Sequence, residues 1–289
     1  MSGLRIGYFA DGKWARWALL KFQNDENLKV VFVVLRVKKD EKLQKLAQKF
    51  AIPCFVLEDI NAPQSLKCIA DFKPDLLVSM SFDQIFKASL LKAYAKRIIN
   101  CHAGKLPFYR GRNILNWALI NDEKEFGITV HFIDSGVDTG DIILQKCFPI
   151  SDADDYTSLL KRAFKECALL LYEAVLLFLN PPVKATAQSG FTCPRRKEGD
   201  ERIDWGKSTR EIFNFIRALN APDLGASAFI EGSLVKIYQS EILSQNFKGK
   251  AGEIVKVDAD GFVVCTKDGA LRVRKFKGVV FLGARFEGE

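Results

Sequence analysis

Histidine is nearly absent from this 289-residue chain. There are two, and both fall in one polar block, INCHAGKLPFYRGRN followed closely by GITVHFIDSGVDTGDI. Cysteine occurs seven times, an odd number, and no pair has C-x-x-C spacing. That argues against a disulfide scaffold or a zinc knot and for small buried thiols in a reducing compartment. A G-x-G-x-x-G fingerprint is missing, so the turn GYFADGKW gives little support to a dinucleotide site. The opening residues, MSGLRIGYFADG, lack the three-part pattern of a signal peptide. The most apolar stretch, ALLLYEAVLLFL (168–179), is too short to span a bilayer and carries Glu173, so it is expected as a core helix. A cytoplasmic protein with no membrane partner is expected. The 43 basic residues exceed the 35 acidic ones for a net charge of +8, yet they form no long cluster. This favours a compact anionic ligand over nucleic acid.

What is there alternates between strand and helix patterns. LRIGYF (4–9), VVFVVLR (30–36), IPCFVL (52–57), DLLVSM (75–80) and RIINCH (97–102) have strand character. The unbroken β-branched run at 30–36 is typical of a parallel strand buried on both faces. Helical patterns at 14–23, 41–51 and 65–72 separate them, which predicts an α/β, Rossmann-like doubly wound sheet. A helix is expected at 114–120, neighbouring strands at 127–133 and 141–150, and a long helix over 155–179 stopped by Asn180-Pro181-Pro182. A charged loop follows, then a helix at 209–219 and five short strands between 226 and 276 separated by Gly or Asp turns. Those strands predict a smaller β-rich, partly barrel-like C-terminal domain. The expected division is 1–182, a linker at 183–205, and 206–289.

Candidate chemistry gathers at the carboxyl ends of the strands, where open α/β sheets bind ligands. Asn100 and His102 are two apart on a strand, so they point to the same side. Asp138 follows in the loop VDTGD. Amide, imidazole and carboxylate together suit attack on a carbonyl: the first two stabilise an oxyanion, and the carboxylate sets the imidazole's charge or takes a proton. Between them lie the aromatic pair Phe108-Tyr109 and the run Arg110-Gly111-Arg112-Asn113, with two guanidinium groups suited to phosphate or carboxylate. Gly12 and Lys13 in the first strand-to-helix turn are a weaker anion candidate. His131 is expected as a hydrogen-bonding support for the Asp138 loop. Asp134, Asp138 and Asp141 cluster, but their spacing lacks the calcium-loop pattern, and no metal site is expected.

The segment NCHAGKLPFYRGRNILNWALINDEKEFGITVHFIDSGVDTGDI resembles the signature of the folate-dependent formyltransferases. The resemblance implies a Rossmann-like domain that uses N10-formyltetrahydrofolate as cosubstrate, with Asn100, His102 and Asp138 as the catalytic residues. It maps the folate ring onto largely backbone sites at Met80, Ser81 and Phe82 and in the loop from Asp134 to Asp138. It assigns Lys13, Arg110, Arg112 and Asn113 to the acceptor. ERIDW, TREIFNFIRAL and the strands GEIVKV…LRVRKFKG resemble both the methionyl-tRNA and the amino-sugar-nucleotide enzymes. The short connection VLRVKKDEKLQKLA and the loop YRGRNILNW favour the latter. The expected reaction is therefore formyl transfer to the amine of a dTDP- or UDP-linked amino sugar for bacterial surface glycans such as lipopolysaccharide, in an enzyme that is plausibly a homodimer. The alternatives are methionyl-tRNA formyl transfer, a folate-binding protein without catalysis, and a formylfolate hydrolase.

Overall fold

The apolar runs read from sequence become the central strands of a twisted sheet because they are buried on both faces. In the computed structural model, which describes residues 3–38, 40–221, 224–245 and 247–287, the chain forms two compact units. The first comprises Met1–Gly111, Gly127–Phe148 and Lys161–Thr192; the second comprises Arg112–Phe126, Pro149–Leu160 and Cys193–Glu289.

The first unit is built on β1 (Leu4–Ala10), β2 (Leu28–Leu35), β3 (Cys54–Val56), β4 (Leu76–Met80) and β5 (Ile98–His102). After the two-residue strand β6 (Arg110–Gly111) come β7 (Glu125–Phe132) and β8 (Ile142–Pro149). The sheet order is β3-β2-β1-β4-β5-β7-β8. Strands β1 to β5 are parallel and β7 runs antiparallel to β5. Helices α1 (Gly12–Gln23), α2 (Glu41–Lys49), α3 (Pro63–Asp71) and α4 (Ala88–Ala93) make the crossovers. α2 begins at Asp40, whose carboxylate accepts from Lys42 N at 2.9 Å and Leu43 N at 3.2 Å, satisfying otherwise orphaned donors. Pro63 starts α3, where a missing N–H costs nothing. Phe9, Phe32, Phe86, Leu77 and Ile98 fill one side of the sheet, each contributing roughly 1.5–3 kcal/mol by leaving water.

Chain order reverses between β1 and β4, so a crevice opens at their carboxyl ends. Register sets Ala10 beside Met80 and Met80 beside Cys101, one residue before His102. α6 (Tyr156–Leu176) buries Cys167, Ala168, Leu171, Ala174 and Val175, as expected of a core helix. Among the described residues no helix is long and apolar enough to cross a membrane. None of the seven cysteines forms a disulfide.

The second unit contains α5 (Ile114–Ile120), the two-residue strand β9 (Thr192–Cys193) at its border, and α7 (Thr209–Ala218). Its antiparallel five-stranded sheet has the order β10-β11-β14-β13-β12. The strands are β10 (Ala226–Ile230), β11 (Ser233–Ile242), β12 (Ile254–Asp258), β13 (Gly261–Cys265) and β14 (Ala270–Lys277). α7 opens with a capping box between Ser208 and Glu211. Its apolar face joins a core in which Trp205 and Phe286 stack at 4.8 Å.

Candidate active site

Antiparallel pairing of β5 with β7 sets Asn100 opposite His131 and His102 opposite Thr129. Both histidines therefore reach the same edge, and the loop after β7 brings Asp138 to them. Asp138 Oδ2 lies 3.5 Å from His102 Nδ1, and its Oδ1 lies 3.4 Å from His131 Nε2 and 3.5 Å from Asn100 Nδ2. Asn100 Nδ2 is also 3.3 Å from His131 Nε2. The three residues expected to act together do meet, with His131 as a fourth member.

Backbone groups fix the orientations. His102 Nε2 lies 2.7 Å from the Tyr109 carbonyl, which can only accept, so Nε2 carries a proton. Likewise His131 Nδ1 donates to the Phe132 carbonyl at 2.7 Å. Gly111 N–H donates to Asp138 Oδ2 at 3.0 Å. The loop that presents Asp138 is tightened by Asp134, which accepts from Gly136 N at 3.0 Å and Thr139 Oγ1 at 2.5 Å. Gly140 admits no side chain: a Cβ there would lie 1.9 Å from the Phe132 carbonyl oxygen.

Electrostatics corrects one expectation. Burial is the largest influence on His102 and lowers its proton affinity; the Asp138 charge and the Tyr109 carbonyl oppose it without prevailing. The direction favours a neutral imidazole over one held charged by Asp138. Burial raises the Asp138 carboxyl, but the His102 and His131 imidazoles and the Gly111 N–H outweigh it and hold it far below the ordinary carboxylate range. With Nε2 protonated, a neutral His102 turns the bare lone pair of Nδ1 toward the Asp138 carboxylate. In that form two acceptors face each other at 3.5 Å.

The other candidates occupy varied positions. Met80 is buried and Ser81 adopts a left-handed φ of +58°. Phe82 packs edge-on against Phe9 at 5.5 Å. The Lys13 ammonium lies over the rings of Trp17 at 5.0 Å and Phe164 at 5.6 Å. Arg110 does not stand in solvent: it is 7% exposed and donates to the Gly190 carbonyl and to Gln188 Oε1, each at 3.2 Å. Arg112 and Asn113 are exposed, and Asn113 Oδ1 accepts from Arg196 N at 3.2 Å within the second unit. Two contributors escaped the sequence reading. Gln188 holds the Asp138 loop by donating to the carbonyls of Asp138 and Gly140, at 3.2 and 2.5 Å. Arg36, at the end of β2, donates to the carbonyl and hydroxyl of Ser81 and lies 3.5 Å from Asp11.

Comparison with known proteins decides what this geometry belongs to. The formyl transferase family matches residues 6–175, and the formyl transferase C-terminal domain matches residues 196–278. The chain belongs to the formyl transferase family. It is 33% identical to the methionyl-tRNA formyltransferase of Geobacter sulfurreducens over 96% of this chain and 90% of that one. It is 36% identical to that of Fusobacterium nucleatum over 72% and 69%. A solved N-formyltransferase from Helicobacter canadensis, in complex with folinic acid and dTDP-3-aminofucose, is 22% identical. It has a TM-score of 0.70 and covers 96% of this chain and 100% of that one, a likeness that shows the fold. The formyl donor expected from the resemblance, N10-formyltetrahydrofolate, stands with the family.

The expected acceptor, a nucleotide-linked amino sugar, is overturned. The relatives that match nearly the whole chain at about a third identity are methionyl-tRNA formyltransferases. The two features that favoured the sugar were loops, a short connection after β2 and the YRGR turn. Connecting loops change length and sequence far more freely than the elements they join. Lys39, within that connection, lies outside the described residues.

Proposed function

We propose that this protein transfers the formyl group of N10-formyltetrahydrofolate to the amino group of methionyl-tRNA. The observation that carries this reading is the 33% identity to the Geobacter sulfurreducens methionyl-tRNA formyltransferase across 96% of the chain, which spans both units. The expectation of no nucleic-acid partner falls with the sugar reading.

The site's own residues account for the chemistry. Attack of a neutral amine on the formyl carbon puts negative charge on the formyl oxygen and leaves a surplus proton on nitrogen. The N–H groups of Asn100 have only long contacts, 3.3 and 3.5 Å, so a developing oxyanion competes well for one of them. The surplus proton has a seat prepared between His102 Nδ1 and Asp138 Oδ2, where it converts two opposed acceptors into a charge-assisted hydrogen bond. The imidazolium so formed then returns the proton to the departing folate nitrogen. Val137, in the loop from Asp134 to Asp138, and Ile85, three residues beyond Phe82, expose apolar surface that suits a flat ring system.

The test is a side-by-side rate measurement with N10-formyltetrahydrofolate as donor. Methionyl-tRNA, uncharged tRNA and a dTDP-linked amino sugar are offered as acceptors. Formylated methionyl-tRNA as the dominant product is expected. No product from methionyl-tRNA at saturating donor refutes the proposal.

A further inference from the structure

Two phenylalanines that are 83 positions apart meet at the surface beside the catalytic strand. Phe108 and Phe191 are 46% and 49% exposed, with ring centroids 5.4 Å apart and planes tilted by 37°. Beneath them Tyr109, 7% exposed, meets Phe191 edge-on at 5.5 Å. This pair is built with care. Arg110 donates its backbone N–H to the Phe191 carbonyl at 3.4 Å and its guanidinium to the Gly190 carbonyl at 3.2 Å. Gly190 lies so close to the other segment that a Cβ would stand 2.0 Å from the Pro107 carbonyl oxygen. The same short segment carries the Tyr109 carbonyl that receives His102 Nε2 at 2.7 Å. A half-exposed aromatic shelf is thereby tied through the backbone to the catalytic imidazole.

We infer that the Phe108–Phe191 shelf is the platform on which the 3′-terminal base of the acceptor tRNA stacks. This rests on the methionyl-tRNA reading. A nucleobase needs an open flat apolar face, and every base has a π-face to offer. The methionine side chain, by contrast, is flexible and gains most in an enclosed pocket, which two half-exposed rings do not make. The terminal base also belongs to the nucleoside that carries the aminoacyl ester. A base seated on this shelf rests against the segment whose Tyr109 carbonyl receives His102 Nε2. Phe108 and Phe191 act as acceptor-specificity residues and touch no reacting atom.

The test crosses the unmodified enzyme and three variants with two acceptors. Methionyl-tRNA and methionyl-tRNA lacking its 3′-terminal base are formylated by the unmodified enzyme and by Phe108→Leu and Phe191→Leu. With intact acceptor each substitution is expected to raise KM roughly five- to 150-fold, the range for loss of one base–aromatic stack. With the base-less acceptor, KM starts high and the same substitutions cost far less. Phe191→Tyr, which keeps the ring, is expected to restore the intact acceptor's KM. Equal effects on both acceptors overturn the shelf, as does a raised KM for the formyl donor alone. Sensitivity that follows replacement of methionine by another amino acid, and not removal of the base, reassigns the shelf to the side chain and overturns it too. If the unmodified enzyme forms no product with intact methionyl-tRNA, the substrate reading itself has failed, which is a different result from any of these.

Discussion

Gly104→Ala targets the hydrogen bond between His102 Nε2 and the Tyr109 carbonyl. A Cβ at position 104 would lie 2.4 Å from His102 Nε2, 2.7 Å from its Cδ2 and 2.5 Å from the Tyr109 carbonyl oxygen. Ordinary contact begins near 3.4 Å, so something must retreat by about 1 Å. The Tyr109 carbonyl is backbone in a constrained turn, and the imidazole is the softer partner. The ring therefore swings, and the 2.7 Å Nε2–H···O bond is lost. A buried donor left unpaired costs about 1–3 kcal/mol, which in a protein of this size lowers Tm by roughly 2–4 °C per kcal/mol. The catalytic effect is larger, because a displacement of about 1 Å at a reacting group can cost on the order of 100-fold in rate. Single-turnover formyl transfer with both substrates saturating, run beside a thermal melt, reads both numbers. The expected result is a kcat near one hundredth of the original with a Tm drop of a few degrees. Combined with His102→Asn, the glycine substitution should add almost nothing, since both act through the same ring. Full kcat in Gly104→Ala would refute the claim that the Tyr109 carbonyl positions the catalytic imidazole.

Two further predictions use pH. In Asp138→Asn, removal of the carboxylate takes away the main influence that raises the proton affinity of His102, so the acid limb of the rate profile should move to lower pH while the plateau falls; an acid limb that stays in place would separate His102 from that limb. Because His102 binds its proton less tightly when folded than the ordinary imidazole value near 6.5, it contributes stability that is present above that value and lost as pH falls through its folded value. His102→Gln should flatten the loss of Tm on the acid side of about pH 6.5, and an unchanged slope in melts across pH 5–8 would show that the imidazole is not buried neutral.

Much of the first unit was legible because its strands and helices announce themselves locally. The run at 30–35 is apolar on both faces, and in the second unit the helix expected at 114–120 has those bounds. The site itself was legible to the extent that it is carried by short local spacing, Asn100-x-His102 and the Asp138 turn. Its fourth member was only half visible. His131 read as a support for the Asp138 loop, but its contact with Asn100 depends on the antiparallel register of β5 with β7, which neither segment encodes alone. Gln188 and Phe191 were out of reach for a different reason. They lie in a stretch with the composition of a linker, and they gain their roles only by pairing with residues about 50 and 80 positions away. α4 was also missed, being six residues long with too few turns to show a period. The burial of Arg110 against the Gly190 carbonyl and Gln188 is not legible locally, because sequence cannot tell a guanidinium that faces an anion from one that bonds carbonyls.

The site is assembled by backbone conformations that side chains ordinarily avoid. Ser81, Tyr109 and Asp138 all hold positive φ, at +58°, +57° and +54°. A left-handed residue that is not glycine costs on the order of 1–2 kcal/mol, and such strain persists only where surrounding contacts over-determine it. Here each has an identifiable holder. Arg36 bonds the Ser81 carbonyl, His102 bonds the Tyr109 carbonyl, and Gly111 N–H bonds the Asp138 carboxylate. Each bond also fixes a part of the proposed site: the turn after β4, the His102 imidazole, and the Asp138 carboxylate. Strain and function are therefore coupled in the same three turns, and the coupling is rigid. Arg110 and Gln188 tie the segment carrying Tyr109 to the loop carrying Asp138, since Arg110 bonds Gln188 Oε1 while Gln188 Nε2 bonds the Asp138 and Gly140 carbonyls, and the Gly111 N–H bonds the Asp138 carboxylate directly. The segment that carries Phe108 and Tyr109 is thus joined to the Asp138 backbone through two side chains and to its carboxylate through one backbone N–H, so displacing that segment should disturb the Asp138 loop as well as the His102 ring.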